Sequence, residues 1–346
     1  PRSTLFPYTT LFRSEEKLQT IFLQQAAILN NIPDMAWLKD LDSRYIAVNE
    51  QFAHTAGKRR EEIIGKTDPE IWDVEFATLY RKDDQEVIQS GQRKRVEELQ
   101  ADGTGRQYWV ETTKTPIKDE NGQVIGTTGI ARDISDRKLA QEFERRRRER
   151  LEKVMRLGQY VTVVHGLQTT LQRIWYSVRN EIGFDRLGIY LYDREANAML
   201  GTFGTDHQGR ITQEQNRVIS LNTDSPETVA FKATLKEANG LYQTRDYEHE
   251  HGTGFDNIMA GVRDFAAVSA WMGEIPAAVL CVDNAISGRP ITEEQIETLR
   301  LFAGYAGLAI EHARLNDALQ KELTLQIKAE QREIHRRETL EKVLGL

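Results

Sequence analysis

At 346 residues the chain is long enough for about two domains that each bury a core. With 39% hydrophobic and 29% charged residues and a formal charge of -7, it has neither an apolar run near the roughly 18 residues of a membrane span nor the cationic excess that phosphate-based nucleic-acid binding needs. Its one cysteine, Cys281, excludes an internal disulfide and a thiolate zinc site, and fits a reducing cytoplasm.

Taken in chain order, Thr4 to Ser14, TLFPYTTLFRS, resembles the in-frame translation of a short-read sequencing adapter, so residues 1–14 are expected to be an artefact or a disordered arm. Residues 15–31 carry Leu18, Phe22, Ala26 and Leu29 at helical spacing, a leading helix. Strands are predicted over Met35–Lys39 and Tyr45–Asn49, on either side of the turn-rich DLDS. Short helices follow over Glu50–Gly57 and Arg60–Gly65, each closed by a glycine, then a longer one over Asp73–Gln89. Three more strands are predicted, Arg93–Gln100, Gln107–Pro116 and Val124–Asp133, the last two joined through Asn121-Gly122, whose residues suit the positive φ of a tight hairpin.

Gln141–Leu157 reads as a charge-dense linker helix in which Glu142, Glu144, Glu149 and Glu152 offset the run Arg145–Arg148. Val161–Ile182 reads as one amphipathic helix with Val164, Leu167, Leu171, Ile174 and Val178 on a face. RLGIYLYDREANAMLGTFGTD suggests two strands, and a helical, loop-rich middle leads to strands Phe265–Met272 and Ala277–Asp283 around a Gly273-Glu274 turn. A long helix starts near Thr292, with Leu319, Leu323, Ile327 and Ile334 as a short apolar seam. The chain starts with Pro and stops inside a charged helical pattern without a capping Gly or Pro, so both ends are expected to be cuts.

The stretch DMAWLKDLDSRYIAVNEQFAHTAGKRREEIIGKTD, the Asp102-Gly103 turn before WVETTKTPI, and GIARDISDRK together resemble a PAS domain, with residues 32–136 as the domain and 137–157 as linker. FDRLGIYLYD, GTFGTDHQGRI and AAVLCVDNAISGRPITEEQIETLRLFAGYAGLAIEHARL resemble a GAF domain over 158–314, leaving 315–346 as a C-terminal signalling helix. Leu-Glu-Lys-Val occurs at Leu151 and again at Leu340, a hint that another GAF module starts where the chain stops. The fold class expected is α+β: two sensory modules, each a mainly antiparallel sheet with flanking helices, joined by long helical linkers.

The resemblance implies a pocket between the PAS sheet and its short helices, lined by Trp37, Asn49, Phe52, Trp109 and Thr113; the same residues serve equally as the core of a small domain. Asp133, Ile134 and Ser135 match the family's closing triplet and are the expected relay into the exit helix, Asp133 as an acceptor for its first free N–H groups. The cofactors of related photosensors and haem sensors are not expected. The PAS region has no cysteine for a flavin adduct, its long helix has no histidine for haem, and Cys281 sits in an apolar strand instead of beside a histidine as a bilin attachment requires. His249-Glu250-His251 reads as a solvated loop, since alternating residues point apart and no third ligand is placed. No phosphate loop, zinc helix, nucleophile elbow or kinase phosphoacceptor motif occurs. The expectation is therefore a cytoplasmic, homodimeric sensory and relay segment with no catalysis of its own, its parent a histidine kinase or diguanylate cyclase. The alternatives are the input region of a transcription regulator, or dimerisation modules without a ligand.

Overall fold

The computed structural model describes residues 20, 23–102, 104–163, 166–253 and 258–344, with side chains through 336 except 226 and 227. Residues 1–14, Val164 and the end of the C-terminal repeat lie outside the described residues. The chain divides into two compact units between Arg145 and Arg146.

In the first unit, helix α1 (23–30) precedes strands β1 (Met35–Lys39) and β2 (Tyr45–Val48). Helices α2 (Glu50–Ala56), α3 (Arg60–Ile63), α4 (Asp68–Ile71) and α5 (Val74–Ser90) follow, then β3 (Lys94–Ala101), β4 (Gln107–Lys118) and β5 (Val124–Asp133). The strands form one antiparallel sheet in the order β2-β1-β5-β4-β3, so the first strand pairs with the last and the intervening chain folds over one face. The β4–β5 hairpin is wider than the two-residue turn expected at Asn121-Gly122: residues 119–123 form the loop, and of the pair only Gly122 has a positive φ. Gly122 takes φ 81°, and the Asp119 carboxylate accepts N–H bonds from Asn121 and Gln123. Gly129 faces Trp37, and a Cβ there would lie 2.3 Å from the indole, so only glycine lets the ring lie across β5.

Helix α6 (Ser135–Thr162) brings Leu157 and Val161 into the core of the second unit. The single helix expected over Val161–Ile182 is broken. Gly166 takes φ 87°, a conformation costly for other residues, and the chain resumes as α7 (Leu167–Tyr176) and a π-helical turn (Ser177–Ile182). Strands β6 (Arg186–Asp193), β7 (Ala198–Gly201), β10 (Val218–Ser220), β11 (Leu241–Thr244), β12 (Phe265–Met272) and β13 (Ile275–Asp283) build a second antiparallel sheet, ordered β10-β7-β6-β13-β12-β11. The short pair β8 (Phe203–Thr205) and β9 (Ile211–Gln213) stands apart, and α8 (Pro226–Thr234) and α9 (Tyr247–His251) fill the middle.

Strand β13 lies inside this sheet and is apolar on both faces. Ala278, Leu280 and Val282 pack with α7 and the start of α10 (Glu293–Leu344), while Val279 and Cys281 face the cluster of Tyr190, Met199, Phe231 and Tyr247. The small residues of α10 have a packing reason. A Cβ on Gly307 would lie 2.5 Å from the backbone of Trp271, so helix and strand touch main chain to main chain there.

Candidate ligand cavities and relay

Alternation in the first sheet turns Met35, Trp37 and Lys39 of β1, and Val110, Thr112 and Lys114 of β4, toward the helices. The two lysines thus enter the interior, and both are about 1–2% exposed. Their partners come from the helices. Asp68 stands in the first turn of α4, whose N-terminus is held by a Thr67–Glu70 capping box, and Asp84 lies one turn after Tyr80 on the buried face of α5. Lys39 Nζ lies 2.6 Å from Asp68 and 2.7 Å from Asp84, and Lys114 Nζ lies 2.7 Å from Asp84 while donating to the Tyr80 carbonyl at 2.7 Å. Tyr45 donates its hydroxyl to Asp68 at 2.6 Å and accepts from Trp72 Nε1 at 3.1 Å; burial, then the charge of Asp68, pushes its phenol well up.

Two cations and two anions therefore cancel within the interior. The lysines also cover aromatic faces, Lys39 at 4.6 Å from the Tyr45 ring and Lys114 at 5.7 Å from that of Tyr80. The space left among Trp37, Phe52, Tyr80, Glu98, Gln100 and Thr112 is about 20 Å³, water-sized. Trp37 Nε1 and the Tyr80 hydroxyl, both buried, have no hydrogen-bond partner among the described residues. Glu98 accepts from Thr112 at 2.7 Å, and burial pushes its carboxyl above the usual range.

Of the five residues expected to line this pocket, Trp37 and Phe52 do so. Asn49 is fully buried but structural. Its Oδ1 accepts from Ala36 N and Phe52 N, capping α2, and its Nδ2 donates to the carbonyls of Ile32 and Asp34. Trp109 and Thr113 have the opposite parity and lie on the outer face, Trp109 being 39% exposed. The alternation of WVETTKTPI is anchored by Val110 instead of by the larger Trp109, and reading it from Val110 would have found Lys114.

Trp109 instead meets the exit helix. Its carbonyl accepts from Ile134 N at 2.9 Å, its N–H donates to Ser135 Oγ at 3.1 Å, and Lys138 Nζ sits 4.9 Å from its ring. Asp133 accepts from Ser135 N at 2.8 Å, and Ile134 is buried. Glu97 pairs with Arg137 (2.6 Å) and Lys138 (2.5 Å), so the first turn of α6 is tied to β3 and β4. Lys138 holds the Glu97 carboxyl below its ordinary range.

The second unit encloses a larger space, about 70 Å³, on the face of β13 that carries Cys281. Phe231, Ile219, Met259 and Phe265 supply apolar walls. Arg186 forks onto Asp283 with two 2.8 Å bonds and donates to the Ile258 carbonyl, closing one end. At the other, Tyr190 donates to Glu214 at 3.2 Å under the Arg217 guanidinium, 5.6 Å from the ring. The surface Cys281 leaves open faces this cavity, and burial pushes its thiol well up, so it is a packing group and not a thiolate. The solvated loop expected at His249-Glu250-His251 is instead the end of helix α9, where His251 Nε2 lies 2.5 Å from the Tyr242 hydroxyl. Among the described residues no group of three or more His, Cys, Asp or Glu side chains is placed to hold a metal ion.

Residues 29–139 match the PAS fold family and residues 166–310 the GAF domain family. Among curated proteins, the chain is 30% identical over 155 residues to the methanogenesis regulatory histidine kinase FilI of Methanothrix harundinacea, covering 45% of this chain and 16% of that one. It is 24% identical over 237 residues to the aerobic respiration control sensor protein ArcB of Escherichia coli, covering 64% of this chain and 28% of that one. Among solved structures, the GAF domain of a phosphoenolpyruvate-protein phosphotransferase from Coxiella burnetii is 12% identical with a TM-score of 0.40, covering 49% of this chain and 96% of that one. The chain thus spans 16% and 28% of the curated relatives named. With two antiparallel sheets, their flanking helices and both families matched in order, the chain carries a PAS fold followed by a GAF domain.

Proposed function

We propose that this chain is the sensing and relay segment of a larger signalling protein of the histidine kinase kind, in which a small molecule enters the GAF cavity and the PAS domain transmits without receiving. The contrast between the two interiors carries this reading. The GAF cavity has about 70 Å³ of free space between apolar walls and polar ends, whereas the PAS interior between sheet and helices is crossed by four buried charges and keeps about 20 Å³. The roomier PAS space of about 490 Å³ beside Met35, His54 and Asp133 is an open, polar cleft. A ligand acts through its different affinity for two states, and the relay runs through the helix starts and ends, at Asp133, Ile134 and Ser135 and along α10. Leu319, Leu323, Ile327 and Ile334, 46–63% exposed, form the seam through which two copies pair as a homodimer.

The segment itself performs no turnover, works in the cytoplasm and binds no nucleic acid. No helix among the described residues is long and apolar enough to cross a membrane. The test is a fusion of this chain to a histidine kinase catalytic core, with Ala230→Leu to fill the GAF cavity. Autophosphorylation in that variant should become fixed and indifferent to cell extract that changes the parent fusion. Unaltered response would reject the GAF cavity as receptor.

A further inference from the structure

The GAF domain carries an open cleft of about 410 Å³ that shares no lining residue with the inner cavity. Three segments distant in sequence supply its arginines: Arg245 after β11, Arg263 before β12, and Arg289 in the SGRPI loop. Their backbones are fixed. Tyr247 N donates to the Arg263 carbonyl at 3.0 Å, Ser287 N to Asp185 at 2.5 Å, and Ile291 N to Asp264 at 2.9 Å. We propose that this cleft binds a small phosphorylated molecule through the guanidinium groups of Arg245, Arg263 and Arg289.

Arg132, Arg137, Arg186, Arg210 and Arg314 each meet a carboxylate, whereas Arg81, Arg93 and Arg194 do not among the described residues, so what marks this place is the convergence of three arginines on one cleft. The side chains of Arg245 and Arg263 have no hydrogen-bond or ion-pair partner among the described residues. Arg289 donates to Ser287 Oγ at 3.1 Å and lies 3.8 Å from Asp185. Two carboxylates, Asp246 and Asp264, share the lining with the three arginines, and Asp264 already accepts the Ile291 N–H. A planar fork of donors matches the oxygens of a phosphate two at a time, a geometry lysine lacks. The volume is that of a small-ligand site, and the cleft is open at the surface, so no wall has to move.

Asp246, Asp264 and Asn284 of the cleft are chain neighbours of Tyr247, Phe265 and Asp283 of the inner cavity, so an anion held here stiffens that cavity's wall. The inference does not depend on the inner cavity being the receptor. Calorimetric titration of the intact chain with inorganic tripolyphosphate tests it. Saturable binding near one per chain is expected, weakened by added salt. Arg245→Gln with Arg263→Gln should weaken it at least about tenfold, Arg263→Lys less, and Arg81→Gln in the PAS domain not at all, with all variants melting together. Absence of saturable binding, or equal affinity in the double variant, overturns the proposal. Binding of a phosphopeptide without binding of tripolyphosphate also overturns it, making the cleft a protein-docking surface.

Discussion

Lys39 is the residue on which the PAS interior turns, because one ammonium bridges carboxylates from two helices. Replacing one member of a buried pair leaves the other charge unmet, so Lys39→Met should lose about 3–5 kcal/mol in denaturant unfolding of the chain. A loss under 1 kcal/mol would mean that water reaches Asp68 and that the interior is not closed. Glu98 behaves oppositely, since burial raises its carboxyl and disfavours its charge. A group that binds protons more tightly when folded contributes its stability below its unfolded value and loses it as pH rises through the folded one. Glu98→Gln, which keeps an acceptor for Thr112, should therefore raise the melting temperature at neutral pH, the gain closing below about pH 4. A gain equal at all pH values would point to packing instead of charge.

At the scale of elements, the start of α6 is held from three sides: by Asp133, by the main chain of Trp109, and by Glu97 through Arg137 and Lys138. Asp133→Ala removes one acceptor, a change of about 1 kcal/mol, and should leave the sheet intact. Amide exchange across Asp136 to Phe143 should quicken while that of β4 and β5 stays the same; unchanged protection would show that Trp109 and Glu97 suffice. Most strands and the helices α5, α6 and α10 were legible because their patterns run for four or more residues, and the place of the β4–β5 turn because Gly122 supplies the positive φ it needs. The β8, β9 and β10 strands span three residues each, too short for a period to show. The helix break at Gly166 depends on one φ angle inside an otherwise continuous pattern. The candidate site was half legible. Trp37 and Phe52 followed from the family resemblance, but Lys39, Asp68, Asp84 and Lys114 are charged residues whose burial appears only when four elements meet.

For the whole molecule, the proposed division of receiving from transmitting rests on the free space of the GAF cavity and on the lysines that fill the PAS interior. The chain's five methionines report on both places. Met35 lines the PAS interior, Met259 lines the GAF cavity and Met199 packs in the cluster beside it, while Met155 is exposed on α6 and Met272 ends β12. Methyl NMR of the intact chain with labelled methionine, titrated with phenol as a small neutral probe, reads each site separately. Saturable shifts of Met259 and Met199 are expected, with Met35 unmoved, and those shifts should be lost in Ala230→Leu. Saturable movement of Met35 with Met259 and Met199 unchanged would contradict that division.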